Sequence, residues 1–196
     1  MRRAVAYTLL ATLAGCTSAE PDYYVLQPVA GRADSSVTGS IEVRRPGLAG
    51  FLDRADVVVD GTSFRLTLGA GARWGEPLGD MIERVLSQDL AQRLPASQVF
   101  GEGGAIGVAS DLRVDVDVQQ FGGASGGTAI LISETVIERR HDHVVLGARH
   151  VQITAARQGS GAASLAAAMS DLLGQLADQI STDLAPMTGR SSLSRG

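Results

Sequence analysis

Two apolar stripes at helical spacing, each followed by a proline, limit what this chain can fold into. Leu78, Met81, Ile82, Val85, Leu86, Leu90 and Leu94 recur every three or four residues, and Pro95 follows them. Leu165, Met169, Leu172, Leu173, Leu176, Ile180 and Leu184 repeat the pattern, with Asp171, Gln175, Asp178 and Gln179 largely off the stripe and Pro186 after it. These spacings predict amphipathic helices over about 77–94 and 162–185. Pro77 suits a first helical turn, where its missing N–H costs nothing. Asp80 and Arg84, four residues apart, are expected to pair on the outer side of the first helix.

Between and before the helices the period changes to two. Leu112, Val114, Val116 and Val118 alternate with Arg113, Asp115, Asp117 and Gln119, the pattern of a strand with one wet face. Strands are also expected at 23–26, 41–43, 56–60, 63–68, 99–100, 129–138 and 144–155. Asp60-Gly61-Thr62 signals a hairpin, after which Phe64, Leu66 and Leu68 should form a buried face opposite Arg65 and Thr67. Ile130-Leu131-Ile132 is apolar on both parities, as in a central strand covered on both faces. Short turns between successive strands point to a mostly antiparallel sheet. With two long helices on one face, the class is α+β in a single domain.

The amino terminus carries a different signal. Met1-Arg2-Arg3 is cationic, and Ala4 to Ala14 is a short, mostly apolar run. A spanning helix needs about 20 apolar residues, so this layout predicts a secretory signal peptide. Leu13-Ala14-Gly15-Cys16 then resembles a bacterial lipobox, in which small residues admit the peptidase and the thiol takes a lipid. Cys16 is the chain's one cysteine, and acylation would use its thiol. More than one acyl chain turns marginal membrane binding into stable anchoring, at about 0.8 kcal/mol per buried CH2. The expected organisation is a signal peptide over 1–15, a lipidated tether over 16–22, a domain over 23–187 and a disordered tail over 188–196. Thr17 follows the cysteine; the lack of Asp there, by resemblance to enterobacterial sorting, favours the outer membrane.

Other features exclude or weaken several function classes. The net charge is −4, all 17 basic residues are arginine, and aromatics make up 4%, so no basic, aromatic-rich face exists for nucleic acid. Gly123-Ala124-Ser125-Gly126-Gly127 matches G-x-S-x-G, and Asp142 and His150 follow in hydrolase order. A nucleophile elbow needs a helix behind the serine, whereas Thr128 to Ile132 reads as strand. The run from Gly159 to Ser164 approaches a dinucleotide fingerprint, but no strand follows the second helix. His141, Asp142, His143 and His150 offer few converging groups for zinc, which needs three or four, and no metal is expected. Asp111, Asp115 and Asp117 read as the solvated face of a strand.

One segment is more specific. Arg73-Trp74-Gly75-Glu76-Pro77-Leu78 holds the single tryptophan and opens the first helix, where Glu76 would meet the positive end of the helix dipole. A lipobox, Tyr24-x-Leu26 close behind it, the Arg-Trp-x-Glu-Pro-Leu step and a closing helix together resemble the ABC-type transport auxiliary lipoproteins, a PqiC-like family. The likeness covers roughly 23–184. Gly75 stands where alanine is usual in the family, and Phe64 where tyrosines are frequent.

The resemblance implies a periplasm-facing lipoprotein on the outer membrane of a Gram-negative bacterium. Its partners would be an MCE-domain protein anchored in the inner membrane, with an ABC permease and ATPase, moving phospholipids between membranes. The chain has no Walker A motif, so ATP hydrolysis would lie in another subunit. A homo-oligomeric ring, no enzymatic activity and no cofactor beyond the lipid on Cys16 are also implied. Tyr24, Leu26, Arg73, Trp74, Glu76 and Pro77 carry over as a signature of structural role. Two alternatives stay open: a stand-alone periplasmic lipid carrier, and a hydrolase using Ser125.

Overall fold

The structure is a computed structural model, and it describes residues 20–60, 64–102, 109–124 and 126–188. Cys16, the leader, Ser125 and most of the Gly101–Gly107 loop lie outside the described residues. Eleven elements follow in chain order among the described residues: β1 (Asp22–Tyr24), β2 (Gly39–Val43), β3 (Gly47–Leu48), β4 (Asp56–Asp60), β5 (Thr67–Trp74), α1 (Leu78–Arg93), β6 (Ser97–Gly101), β7 (Leu112–Ala124), β8 (Thr128–Arg139), β9 (Val144–Ala156) and α2 (Ala162–Thr188). The class is α+β, as the periodicities imply.

The large sheet runs β6-β2-β7-β8-β9, with β3 continuing beside β7. Its long ladders, β7–β8 and β8–β9, are the expected antiparallel hairpins. The amino-terminal half departs from the antiparallel expectation. β2 pairs in parallel with both β6 and β7, and β1 pairs in parallel with β5 in a separate small sheet, β1-β5-β4. Parallel neighbours require a long connection. The crossover from β2 to β6 contains the small sheet's β4 and β5 and all of α1, so no local turn signal announces the pairing.

One face of the large sheet is packed against α1, α2 and the small sheet. The core joins Val114, Val116, Val118 and Leu131 of the sheet to Leu86, Leu90, Leu172, Leu173 and Leu176 of the helices, all buried. Along β7 the buried parity changes at a register shift between Val118 and Gln120, so Phe121 joins the face of Val118. β8 is an interior strand, yet Ile130 and Ile132 are only half-buried on the face away from the helices.

Two further expectations fail locally. Phe64 is fully exposed and Leu68 is 40% exposed, because regular pairing of β5 begins only at Thr67 and its interior is irregular. Leu66 of the same run does pack against the core, so the alternation holds at one position only. The carboxy-terminal helix passes through Pro186 to Thr188. Among the described residues two helical positions lie beyond the proline, whose missing N–H removes one intrahelical bond.

Close backbone approach fixes how the small sheet meets the large one. A Cβ built on Gly123 would lie 1.8 Å from the carbonyl oxygen of Val59 in β4. That oxygen is main chain and cannot swing aside, so only glycine lets β4 sit on β7. Gly50 has nothing within 4 Å of its would-be Cβ. Gly123→Ala is therefore expected to destabilise the fold by about 1–3 kcal/mol or more. Gly50→Ala should stay within about 0.5 kcal/mol of the parent. Urea unfolding of the two variants checks the contrast.

Candidate functional site

The Arg73–Pro77 step is a joint between three elements. At the end of β5, Trp74 is buried and its N–H donates to the Ala55 carbonyl at 2.7 Å. The next N–H, of Gly75, donates to the Tyr24 carbonyl at 2.8 Å, which ties β1 to the start of α1. Pro77 takes the N-cap position, one residue before the helix, and its carbonyl accepts from Met81 N–H at 3.1 Å. Met81 in turn offers its sulfur to the N–H of buried Leu26 at 3.0 Å. Tyr24, Leu26, Trp74 and Pro77 thus meet in one place.

Arg73 and Glu76 face outward from this joint. Arg73 is half-exposed, 3.7 Å from Asp56 of β4. Glu76 pairs with Arg84, two turns into α1, in addition to the dipole role its position implies. The expected Asp80–Arg84 pair does not form, because Arg84 folds back to Glu76 and Asp80 takes Arg45 from the segment after β2. A cavity of about 360 Å3 opens beside Trp74, Glu76 and Pro77, with Asp53 and Arg54 on its other side.

A second cluster was not read from the sequence. Arg93 is 1% exposed at the end of α1. Its guanidinium donates through Nε to Asp178 of α2 at 2.6 Å, through Nη1 to the carbonyls of Val29 and Asp89 at 2.9 and 3.1 Å, and through Nη2 to the Gly174 carbonyl at 3.0 Å. Asp89, also fully buried, accepts the Val29 N–H at 2.7 Å. The connection from β1 to β2 therefore threads between the helices, held by Met81, Asp89 and Arg93 from α1 and by Ser170 of α2, which accepts the Gln27 N–H. Gly31 is part of this fit, since a Cβ there would lie 2.2 Å from Arg93 Cζ. The signal was available: Asp89 and Arg93 are charges placed on the apolar stripe of α1.

Burial pushes the Asp89 carboxyl from 3.8 up to about 6, against the opposing pull of the Val29 N–H and the Arg93 charge. Its Oδ2 is buried with no hydrogen-bond partner among the described residues, which fits a proton held there.

The catalytic-looking motifs are dispersed. Gly123 and Ala124 end β7, Thr128 starts β8, and Gly126 and Gly127 turn at φ 76° and 73°, so the G-x-S-x-G run is a strand-to-strand hairpin. Asp142 lies in the turn at the far end of β8, held by Arg139 at 2.9 Å. The length of β8 separates the two turns, about 35–40 Å at ~3.4 Å per residue, so Ala124 and Gly126, which flank position 125, lie at the far end of the strand from Asp142. His150 Nδ1 instead meets Glu134 at 2.7 Å. His143 Nδ1 meets Glu138 at 2.7 Å, and His141 lies 3.5 Å from Asp142. No group of three or more potential metal ligands occurs among the described residues. At the Gly159–Ser164 loop the Ser164 hydroxyl donates to the Gly159 carbonyl, and among the described residues no strand follows α2 to complete a βαβ unit. Asp115 is paired with Arg44 at 3.5 Å. No helix among the described residues is long and apolar enough to cross a membrane.

With this geometry in hand, the relatives can be placed. The family model for the ABC-type transport auxiliary lipoprotein component matches residues 24–181. The chain belongs to the ABC-type transport auxiliary lipoprotein family. The match begins at Tyr24, on the Trp74 joint, and ends within α2, so it spans both helices and both sheets. No curated protein matches the sequence. Among solved structures, a Xanthomonas campestris protein of the DUF330 family model is similar at TM-score 0.68 and 20% identity, covering 87% of this chain and 96% of that one. An uncharacterised protein is similar at TM-score 0.64 and 20% identity, covering 86% and 98%. At these identities the likeness is one of fold.

Removing Arg93 would strand Asp89 and two buried carbonyls. Arg93→Ala should cost about 3–5 kcal/mol, read from urea unfolding. Asp89 also carries a pH signature. Its folded-state pKa lies above its ordinary value, so the folded protein holds this proton more tightly and Asp89's contribution to stability falls as pH rises from about 4 to about 6. Asp89→Asn removes that dependence. The melting temperature of the variant relative to the parent should rise across that window and level off above it; a pH-independent difference would contradict the buried-acid assignment.

Proposed function

We propose that this protein is a lipid-anchored, non-enzymatic accessory component of an intermembrane lipid-transport system, working from the periplasmic face of the outer membrane. There it docks the reaching end of an MCE-domain protein whose ABC permease and ATPase lie in the inner membrane. The observation that carries this reading is the family match across 24–181, taken with Leu-Ala-Gly-Cys immediately upstream. The acyl groups on Cys16 are the anchor, and the Trp74 joint is structural, setting the small sheet against α1. The protein's contribution is positional: the folded domain is held at the bilayer and offers its surface, as a homo-oligomer, to the partner.

Six residues run from Cys16 to Asp22, the first residue of β1, a tether of at most about 20 Å. The domain is therefore confined near the headgroups, where a docking component is useful and a diffusing carrier is not. Among the described residues, Asp142, His143 and His150 are held in separate ion pairs, which favours the non-enzymatic reading.

Two outcomes are expected. Cys16→Ser should move the protein from the membrane fraction to the soluble periplasmic fraction while leaving its fold unchanged by circular dichroism. Detergent-solubilised parent protein should co-purify with an MCE-domain protein from the same cells. Stoichiometric phospholipid on the purified Cys16→Ser protein, with no MCE partner captured by the parent, would favour the lipid-carrier alternative.

A further inference from the structure

One leucine of β9 stands outside the ladder. Ile137 of β8 lies opposite Gly147, and Glu138 lies opposite Val145, so Leu146 has no residue across from it. A bulge of this kind re-aims a side chain. Leu146 is half-buried and lines a cavity of about 580 Å3, a size within the ~300–1,000 Å3 of ligand pockets. Leu112, opposite Arg139 in the β7–β8 ladder, and Met187, from the last turn of α2, add to its apolar wall.

Met187 also bounds a second cavity. A Cβ built on Gly147 would lie 2.9 Å from the methionine's terminal methyl carbon, so this end of α2 rests on β9. The second cavity, of about 390 Å3 and walled by Ile137 and Gly147, ends on the same methionine. An unbranched thioether side chain adapts readily to its neighbours, and a chain entering the first cavity can extend into the second by displacing it.

The polar part of the first cavity is built around arginine. Arg139, Arg140 and His141 line it, and all three reach solvent. Asp142 takes Nε and Nη2 of Arg139 at 3.0 and 2.9 Å, which leaves Nη1 for another acceptor. Arg140 comes no nearer than 3.7 Å to Glu42 and 3.8 Å to Glu138, beyond hydrogen-bond length. Asp111, the carboxylate in the wall, is turned to Ser40 and accepts its N–H and its hydroxyl at 2.8 Å. Beside Arg139 in the ladder, Val144 is 42% exposed, so the approach to the cavity carries apolar surface as well as charge. Guanidinium N–H groups with room for an acceptor, next to an apolar wall, match an anionic oxygen head on a hydrocarbon chain.

We propose that this cavity is a phospholipid site, in which one acyl chain lies against Leu112, Leu146 and Met187 and the phosphate meets Arg139 and Arg140. The docking component then holds a lipid itself, in addition to positioning its partner. The choice of a phospholipid over another anionic amphiphile rests on the intermembrane lipid-transport reading above.

The test places the acylated full chain in phosphatidylethanolamine vesicles that contain a phosphatidylethanolamine with a photoactivatable diazirine on one acyl chain. Labelled peptides are mapped by mass spectrometry after illumination. Label should concentrate on the peptides that contain Leu146 and Met187, and Leu146→Trp, which fills the cavity, should abolish it there. Met187→Trp fills the cavity from the helix side and serves if Leu146→Trp does not fold. Replacing Arg139 and Arg140 together by Gln should weaken the label. Label spread evenly over the surface, or unchanged in the filled variants, would overturn the site. Label from a diazirine fatty acid but not from the phospholipid would overturn the phosphate assignment. Capture of the MCE-domain protein is scored on the same samples. A parent that captures no partner yet carries label at Leu146 and Met187 would remove the docking reading and leave the lipid site standing; a parent that captures the partner without label would do the reverse.

Discussion

The buried guanidinium of Arg93 is the interaction on which the arrangement of this domain depends. It reaches α2 through Asp178 and Gly174 and the β1–β2 connection through Val29, all from the last turn of α1. A charge taken out of water is costly unless its hydrogen-bonding groups are matched, and here three of the side chain's nitrogens have acceptors at 2.6–3.1 Å. Apolar packing alone would let two helices slide along one another over a sheet. The planar fork of arginine meets its acceptors in one relative placement of the helices only. Asp89 completes the arrangement by taking the Val29 N–H, so the connection between the small and large sheets becomes part of the helical layer.

That placement has consequences at the amino terminus. Because the segment after β1 is clamped between the helices, β1 cannot drift, and the Tyr24 carbonyl remains available to Gly75 at the entrance to α1. The signature residues Tyr24, Leu26, Trp74 and Pro77 then read as one joint that passes the position of the tether into the folded domain. Gly123 acts at the other contact of the small sheet, where the Val59 carbonyl of β4 presses on β7. Under the proposed docking role this rigidity between anchor and surface matters, since slack in the joint would be slack in the orientation.

How much of this was legible depended on whether the interactions were local. Both helices, the β7–β8 and β8–β9 hairpins and the dismissal of the G-x-S-x-G loop follow from periodicity and turn chemistry within a few residues. The parallel pairing of β2 with β6 and β7 was not legible, because its partners are brought together by a crossover that leaves no local trace. Phe64 was placed in the core by alternation that the irregular start of β5 breaks. Asp80 and Arg84 sit at ideal helical spacing, yet each has a competing partner outside the helix, Arg45 and Glu76. Asp89 and Arg93 were visible as charges on an apolar stripe. Their role could not be derived without knowing that Val29 and Gly174 lie opposite them.

The docking role depends on the covalent state of the chain's amino terminus, since the short tether holds the domain at a membrane only if Cys16 carries lipid. Mass spectrometry of the amino-terminal peptide from membrane-extracted protein tests this most directly. The account predicts a mature chain that begins at Cys16 and carries acyl groups on that residue. An unmodified Cys16 thiol within a longer or differently cleaved amino terminus would contradict it.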